Sequence, residues 1–526
     1  MSDAFNDGSR PALASARGHA GHVAAASFVV LVVVALRLAV LGGYPSTDEG
    51  FYAYYALIMH DALSQHMRLP NEGMLMLYSL LTSFVYSLDI NPIFALRLVD
   101  IVPDALAAVL MLRISVRLSG SRTASAFIVA IFFALLNHPV FIQYGFKNSF
   151  FIALCPLLYA VVLFMSVERA SASRYFVIGV LVACGVLLRE TLAVAAVLGA
   201  VSVLAFRGVR ALAYYALGGL AAGALVLAFL TMLRGPGGLA SLIAGYVDAG
   251  AGYGALALTR WALFESNGAL AARTCIGALL LSFVAAVFVL VVSIRRGSSR
   301  YLGSFAFWAA VALLALIEPL AKIGFPYHFS WSLIGLCGIA SLGWGVARST
   351  GAGRAWTVAA GGLCLAVSLV SLLPQLKYVR DIYASLTYPA FKETRGRYWA
   401  EDSVAHSNYL LMAEQIRRVA PPHATLSSSG AMLILYPLTG LRPPCYALSN
   451  LTFMFVTLHL DEPALKRAIE QCPADVIAST RRDLPGRREL TEAMKQLPQY
   501  RHVGAVGRSD VRDYGSFEAD VYIRRR

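Results

Sequence analysis

The chain is poor in charged residues for its length. Only 14% of its 526 residues are charged, while 58% are hydrophobic and the mean hydropathy is +0.65. A soluble domain carries about 25% charged and about 45–50% apolar residues, so this composition excludes an ordinary soluble protein. Disorder is excluded as well, since it requires low hydrophobicity and high charge. Most of the chain is therefore expected to lie in lipid.

Cysteine is also scarce, and the spacings that bind zinc are missing. None of the seven cysteines belongs to a CxxC pair or to a Cys/His pattern typical of a zinc site. Two of them, Cys445 and Cys472, lie in the C-terminal part, where an oxidising compartment would favour a disulfide. Two free, buried thiols are the favoured interpretation. The other five lie in apolar runs and are interpreted as small apolar residues: Cys155, Cys184, Cys275, Cys337 and Cys364.

Long apolar runs are abundant. A membrane-spanning helix needs about 20 apolar residues. Eleven candidate runs lie at roughly 23–42, 93–112, 123–142, 149–167, 174–189, 191–206, 211–233, 268–293, 301–320, 329–347 and 355–375. With a cytoplasmic N-terminus every short inner loop carries arginine, as the positive-inside rule requires. Most of the membrane part's contribution to the net charge of +14 therefore marks the cytoplasmic face, and no nucleic-acid partner is expected.

The composition changes near Lys377. Of the 30 acidic residues, 16 lie in 376–526, a stretch without a spanning run. Strands and helices are predicted to alternate there, which indicates a small α/β domain. The strands are predicted at 424–428, 474–480, 501–506 and 519–524, and the helices at 403–419, 462–471 and 487–497. This tail contains no GxGxxG, P-loop or GxSxG motif, so we assign it no chemistry.

These observations predict a mainly α membrane protein, a polytopic bundle of about eleven spans with a C-terminal extracytoplasmic α/β domain. The predicted parts are a cytoplasmic tail at 1–22, a membrane domain at 23–376 with juxtamembrane helices in 46–90, and the α/β domain at 377–526. An odd number of spans places the C-terminus outside the cytoplasm.

The strongest local motif follows the first apolar run. It reads Pro45-Ser-Thr-Asp48-Glu49-Gly-Phe-Tyr52 and places two adjacent carboxylates at a membrane surface, where they are costly unless solvated or used. A structural interpretation is also open, because Ser46 and Glu49 have the spacing of a capping box and acids suit a helix N-terminus. Taken alone, the motif favours the structural interpretation.

Several motifs, taken in order, resemble the glycosyltransferase C (GT-C) superfamily. The similarity is greatest to the branch of protein O-mannosyltransferases and bacterial aminoarabinose–lipid A transferases. Asp48, Glu49 and Tyr52 match the acidic pair and tyrosine of that family's first outer loop. Three further segments are similar to segments of that family. Phe94–Leu106, around Arg97, resembles the start of its second span, and Leu187–Thr191, around Arg189, resembles a break between two short spans. Phe325–Phe329, around His328, resembles an outer segment before a late span.

The resemblance implies an activity. Such enzymes pass a sugar from a polyprenyl-phosphate carrier to an acceptor hydroxyl on the outer face. Asp48 would be the general base, and Glu49 would orient it or the acceptor. Displacement at the anomeric carbon by a single base implies inversion. The departing phosphate needs charge compensation. Candidate substrate- and phosphate-binding residues are Tyr52, Arg68, Arg97, Lys147, Arg189 and His328.

Each of these side chains also has a structural interpretation. A cation can snorkel to lipid headgroups or pair with an acid, and Asp100 and Asp48 are the partners considered for Arg97. Asp100 and Asp104 stand one helical turn apart, where a structural hydrogen-bond role, with Arg97 as candidate partner, is favoured over catalysis. For His328 the structural and functional interpretations stand level.

The sequence also departs from its relatives. Many of them carry an acid where this chain has Tyr144–Ser149, which contains no carboxylate. Phe51 replaces an arginine of the aminoarabinose transferases, and residues 70–73 replace their Lys-Pro-Pro. That subfamily's donor and acceptor are therefore not transferred, and the sugar is left as a hexose or a pentose. With few outer acids in the membrane part, neither a metal nor a cofactor other than the donor substrate is expected.

The predicted function is an inverting, polyprenyl-phosphate-sugar-dependent glycosyltransferase of the bacterial inner membrane. Its active site would face the periplasm, and its acceptor would be a lipid, a protein, lipopolysaccharide or another cell-envelope glycan. The alternative is a transporter or flippase of polyprenyl-linked lipids, because broken helices such as 174–206 also occur at transporter substrate sites. No repeat relates the two halves of the sequence, which favours the enzyme.

Overall fold

The computed structural model describes most of the predicted membrane part and much of the C-terminal part. The described residues are 13–40, 47–64, 76–142, 149–166, 171–234, 240, 261–321, 326–350, 362, 366, 400–428, 430–445, 462–480, 487–507 and 518–525. A few side chains within these ranges lie outside the description, and that of Asp48 is one of them.

Helices predominate. They are α1 (Leu13–Val40), α2 (Thr47–Ser64), α3 (Met76–Thr82), α4 (Pro92–Ser119), α5 (Arg122–Leu136), α6 (Pro139–Ile142), α7 (Phe150–Ser166), α8 (Ala172–Leu188), α9 (Ala193–Arg207), α10 (Val209–Arg234), α11 (Trp261–Thr274), α12 (Ile276–Arg296), α13 (Ser299–Leu314), α14 (Ile317–Ala321), α15 (Ser330–Ser349), α16 (Ala400–Val419), α17 (Leu435–Thr439), α18 (Glu462–Gln471) and α19 (Arg487–Lys495). Short 3₁₀ helices lie at Ser83–Ser87, Glu190–Leu192, Pro326–Phe329 and Gly430–Ile434.

Six of the described helical segments are long and apolar enough to cross a membrane, and three shorter apolar helices accompany them. This pattern is that of a multi-pass membrane protein. Ten of the eleven predicted runs coincide with helices, while the run at 355–375 lies almost wholly outside the described residues. The run at 268–293 is divided, since α11 ends at Thr274 and α12 begins at Ile276. The total of about eleven spans stays a prediction.

Local chemistry explains where several helices begin and end. The Ser121 side chain accepts a hydrogen bond from the Ala124 amide and caps α5. At the other end of a span, Gly297 takes up a left-handed φ of 58° that stops α12. Arg295 and Arg296 lie in the last turn of α12, where cations suit the helix dipole.

The chain divides into two compact units. The first comprises Met1–Leu41, Val99–Val226 and Gly252–Arg380. Its helices pack closely, for example α7 on α8 and α15 on both α12 and α13. Between α8 and α10 the backbones meet, because a Cβ at Gly179 would overlap the carbonyl group of Tyr215. Such close approach through small residues is how helices associate where lipid removes the hydrophobic drive between them.

The second unit comprises Gly42–Leu98, Leu227–Ala251 and Asp381–Arg526. It contains a four-stranded sheet of order β1-β2-β4-β3, in which β1 and β2 are parallel and the other pairs antiparallel. The strands lie within two residues of their predicted bounds: β1 (Leu426–Ser428), β2 (Val476–Thr480), β3 (Tyr500–Val506) and β4 (Ala519–Arg524). One core joins α18, α19 and the sheet through Ile469, Ile477, Met494 and other buried apolar residues. That the α/β segment is a separate extracytoplasmic domain stays a prediction.

The favoured interpretation of the two C-terminal cysteines is wrong. Cys445 and Cys472 form a disulfide across 27 residues of sequence. Both half-cystines pack against the core formed by α18, α19 and the sheet, which brings them within bonding distance. The described cysteines of the first unit are free and at least partly buried, as their interpretation as small apolar residues requires: Cys155, Cys184, Cys275 and Cys337.

Candidate functional site

In the second unit, the acidic pair opens helix α2. The helix begins at Thr47, so Asp48 and Glu49 both lie in its first turn. Glu49 is only 1% exposed and forms a two-pronged ion pair with Arg97 of α4. The Arg97 Nε donates to Oε1 at 2.5 Å and Nη2 donates to Oε2 at 2.8 Å. This fork-to-fork geometry is the strongest that an arginine and a carboxylate can form.

The ion pair changes the interpretation of both partners. Asp100 and Asp48 were the acids considered for Arg97, and the described side chains add Glu49 as a partner. The Arg97 guanidinium is 3% exposed. A buried carboxylate of this kind requires such a counterion. Arg97 therefore has a structural role in holding Glu49, and its predicted phosphate contact stays a prediction.

Tyr52 lies on the next turn of α2 and is buried. Its ring meets the ring of Tyr78 from α3 edge to face, with centroids 5.0 Å apart. Beside it, the Tyr86 hydroxyl donates a hydrogen bond to the carbonyl oxygen of Ala53 at 2.8 Å. Both contacts hold the first half of α2 against the segment that follows it in sequence, which gives Tyr52 a packing role. Its predicted contact with substrate stays a prediction.

In the first unit, Arg189 stands at a helix break. Its φ of −153° and ψ of 103° are extended, so α8 ends at Leu188 and a 3₁₀ turn begins at Glu190. The buried guanidinium pairs with Glu318 of α14, with Nε donating to Oε1 at 3.1 Å and Nη2 donating to the same oxygen. The Arg189 Nη1 also lies 3.4 Å from the hydroxyl of Ser149. The break predicted at Leu187–Thr191 is thus present, and it presents a cation with a buried acidic partner.

Glu318 was not identified from the sequence. It is 3% exposed and lies inside the apolar stretch Val311–Leu320, one residue before Pro319. Acids at such depth are rare and usually functional or paired, so this isolated carboxylate was the available signal.

A second buried ion cluster of the first unit lies between α1 and α4. Arg37 pairs with Asp100, and its Nε lies 3.9 Å from Asp104. All three side chains are almost fully buried. The two acids are one helical turn apart and face the same cation, so a structural role agrees with the geometry. Arg37 was not identified from the sequence, because it lies within the apolar run at 23–42.

His328 also belongs to the first unit. It lies in the 3₁₀ helix Pro326–Phe329, which packs against α6, α11 and α14. Its ring is buried beside that of Tyr327, with centroids 4.3 Å apart. This burial is compatible with both interpretations that the sequence left open.

Two of the predicted phosphate-binding cations, Arg68 and Lys147, lie outside the described residues, as does Phe325 of the outer segment. The backbone of Asp48 is described and its side chain is not. Within the described part of the chain, no three His, Cys, Asp or Glu side chains are grouped as metal ligands. The absence of a metal stays a prediction.

An apolar cavity of about 150 Å³ lies among helices α7, α8, α9, α13 and α15 of the first unit. Its walls are mainly leucine, valine, alanine and aromatic side chains, with Glu318, Thr191 and Ser202 as polar members. The cavity is therefore apolar along its body and carries the Arg189 partner in its lining. Such a lining suits an apolar group that carries a polar end.

No family model matches this chain, and no curated protein does. Solved structures are similar to it. ArnT from Cupriavidus metallidurans, crystallised with undecaprenyl phosphate, superposes with a TM-score of 0.55 at 14% identity, over 94% of this chain and 97% of ArnT. The oligosaccharyltransferase of Archaeoglobus fulgidus, crystallised with a tethered acceptor peptide, gives a TM-score of 0.48 at 12% identity, over 87% of this chain and 69% of the other.

The likeness to ArnT shows the fold. Nearly the whole length of both chains is matched, so the shared architecture is not confined to one bundle of helices. The fold that the sequence resemblance implied is therefore confirmed.

Proposed function

We propose that this protein is an inverting glycosyltransferase that uses a sugar linked to a polyprenyl phosphate. The observation that carries the proposal is an acidic pair in the first turn of α2 within a fold shared with ArnT over 94% of the chain. ArnT was crystallised with undecaprenyl phosphate, which supports an anionic isoprenoid carrier as the donor of this chain too.

In the proposed reaction, Asp48 takes the proton from an acceptor hydroxyl. The acceptor oxygen then attacks the anomeric carbon as the bond between that carbon and the phosphate oxygen breaks. The electron pair leaves with the polyprenyl phosphate, which needs no general acid because it is a good leaving group. The sugar therefore changes anomeric configuration. A single positioned base of this kind contributes about 10²–10⁴-fold to a rate.

The other residues take supporting roles in this proposal. Glu49, fixed by Arg97, sets the backbone and charge beside Asp48. Arg189 compensates the phosphate charge, with Glu318 as its counterion when no donor is bound. The apolar cavity beside Glu318 suits part of a polyprenyl chain. The transferred sugar is a hexose or pentose, and the acceptor is a lipid, glycan or protein of the cell envelope.

We place the chemistry on the outer face of a bacterial inner membrane. Two observations support this placement. The inner loops of the predicted topology carry the arginines, as the positive-inside rule requires. The second unit, which contains α2, also contains the Cys445–Cys472 disulfide, and disulfides persist in oxidising compartments.

The test is mass spectrometry of surface glycolipids and glycans in a strain lacking this gene. We expect the deletion to remove a hexose or pentose adduct, the wild-type chain to restore it, and Asp48→Asn to leave it absent at normal protein level. Asp89→Asn is the matched control, because Asp89 is an exposed acid of the same unit. An adduct restored fully by Asp48→Asn would overturn the base assignment. An unchanged glycan profile in the deletion strain would favour the lipid-transporter alternative.

A further inference from the structure

Within the second unit, the first turn of α2 is held directly against the segment 430–442. A Cβ added at Gly50 would overlap the backbone of Ile434 and lie 2.6 Å from its amide nitrogen. Because the obstacle is backbone, no rotamer change relieves it. Gly50 is one residue from Glu49 and two from Asp48. This glycine therefore brings a C-terminal segment into contact with the acidic motif itself.

The contact continues along one face of α2. The Tyr54 ring packs on the ring of Tyr436, with centroids 5.0 Å apart. Further along, Arg442 donates from Nη1 to Oδ1 of Asp61 at 2.5 Å. Positions 50, 54 and 61 differ by four and eleven residues, which at about 100° per residue places them within about 40° on the helix surface. One face of α2 thus packs against segment 430–442 over about three turns.

At the C-terminal end of this contact face, Asp61 and Arg442 form an ion pair whose two side chains differ in exposure. Asp61 is 2% exposed, whereas Arg442 is 51% exposed. Tyr86 also faces Asp61. Burial is the main cause that raises the pKa of the Tyr86 phenol, and the negative charge of Asp61 raises it further, while the positive charge of Arg442 lowers it. His60 contacts the Tyr86 ring from the same helix, with centroids 6.1 Å apart. A buried carboxylate requires compensation of its charge, and Arg442 supplies a cation to Asp61.

Segment 430–442 is in turn built into the α/β sheet. The Tyr436 hydroxyl accepts a hydrogen bond from the backbone amide of Ser428, at the end of β1. The Leu426 amide donates to the carbonyl oxygen of Arg442 at 2.8 Å. Segment 430–442 is therefore anchored by hydrogen bonds to the backbone of the edge strand β1.

From these contacts we propose that segment 430–442 is a positioning element for the acidic pair, with Gly50 and Arg442 as its positioning residues. Gly50 lets the first turn of α2 rest on Ile434, and the Arg442–Asp61 pair sets the rotation and axial position of the helix. Together they fix where Asp48 stands. The inference rests on the proposed function, in which Asp48 is the base. A displacement of about 1 Å at a reacting group can cost about 10²-fold in rate.

The experiment uses the full-length chain and two readouts. The first is the sugar adduct formed per folded protein in the complemented deletion strain. The second is binding of undecaprenyl phosphate to the purified protein, which reports a site that need not contain the base. We expect Arg442→Ala to lower adduct formation by about tenfold to a hundredfold, with the Kd for undecaprenyl phosphate changed less than twofold. Arg442→Lys keeps the cation and should restore most of the activity.

Two further variants separate positioning from folding. Asp61→Asn combined with Arg442→Ala removes the buried carboxylate charge that has lost its arginine, and we expect the double variant to recover part of the activity lost in Arg442→Ala. Arg418→Ala is the control, because Arg418 is an exposed arginine of the same unit that pairs only along its own helix, with Glu414, among the contacts seen. We expect Gly50→Ala to lower adduct formation per folded protein, as Arg442→Ala does. If the Gly50→Ala protein does not accumulate, the variants of Arg442 still test the positioning role.

The outcomes discriminate between the two proposals. Loss of adduct in Asp48→Asn together with full activity per folded protein in Arg442→Ala would overturn the positioning role alone. A parallel loss of thermal stability and of undecaprenyl-phosphate binding in Arg442→Ala would also overturn it, because that is the signature of a merely structural contact. Full activity in Asp48→Asn would remove the proposed base and the positioning inference with it.

Discussion

The two units use ion pairs of similar geometry in different surroundings. In the first unit, Arg189–Glu318 joins side chains that are 4% and 3% exposed. In the second, burial ranges from the fully buried Arg97–Glu49 pair to Arg418–Glu414, with side chains 73% and 52% exposed. Exposed pairs stabilise proteins by about 0–1 kcal/mol, whereas removing one partner of a buried pair costs about 3–5 kcal/mol. Burial rather than distance should therefore rank these contacts.

A large effect is expected for the Arg189–Glu318 pair. Glu318→Ala leaves the Arg189 guanidinium buried without its carboxylate, so we expect the free energy of unfolding to fall by about 3–5 kcal/mol. The measurement is denaturant or thermal unfolding of the purified chain in detergent. The matched variant is Arg189→Met combined with Glu318→Leu, in which both charges are replaced by apolar groups. Its stability should lie near that of the wild type, because no uncompensated charge remains.

The same double variant sharpens the functional assignment. If Arg189 compensates the donor phosphate, the stable double variant should bind undecaprenyl phosphate at least about tenfold more weakly than the wild type, since charge-assisted contacts contribute about 1.5–3 kcal/mol. Unchanged binding in a folded double variant would confine Arg189 to a structural role. A loss below about 1 kcal/mol in Glu318→Ala would contradict the ranking by burial.

Some of this site could be predicted from sequence, and the reasons differ by residue. Asp48, Glu49 and Arg189 stand in local motifs, so their spacing identified them. Glu318 is 129 residues from Arg189 along the chain, and averaging over a spanning run hid its single charge. Arg37 was hidden in the same way. The strands of the second unit were located well because period-two patterns and breakers are local signals.

The contact between α2 and segment 430–442 could not be predicted from local sequence signals. Arg442 and Asp61 are 381 residues apart, and neither belongs to a motif. Gly50 has an ordinary appearance in sequence, since glycine after an acidic pair fits a helix start or a turn. Only the tertiary contact with Ile434 shows why a side chain is excluded there. The tail contains no catalytic motif, so its sequence alone indicates no part in the chemistry.

A smaller effect is expected for the disulfide, which is the second unit's counterpart to the free cysteines of the first. Closing a loop across 27 residues stabilises the folded chain by about 3–4 kcal/mol in the loop-entropy model, and measured values often fall below this. We expect Cys445→Ser with Cys472→Ser to lower the unfolding temperature of the second unit by an amount that added reductant reproduces in the wild type.

Thiol counting provides the control for that comparison. After denaturation without reductant, the wild type should expose two fewer maleimide-reactive thiols than after reduction. The double serine variant should give equal counts in both conditions. Equal counts in the wild type would show that Cys445 and Cys472 are free, and would remove the covalent difference between the two units along with the compartment argument drawn from it.

The smallest effect is expected for the exposed pair Glu414–Arg418 on α16. The two residues are four positions apart on one helix face, where such pairs contribute about 0.3–0.5 kcal/mol. Arg418→Ala should therefore change the free energy of unfolding by less than about 0.5 kcal/mol, and 1 M salt should erase the difference because the Debye length falls to about 3 Å. A loss comparable with that of Glu318→Ala, persisting in salt, would mean that this helix face is covered in the native protein. Burial would then still determine how much each ion pair stabilises the protein, but Arg418 would be exposed only in the isolated chain.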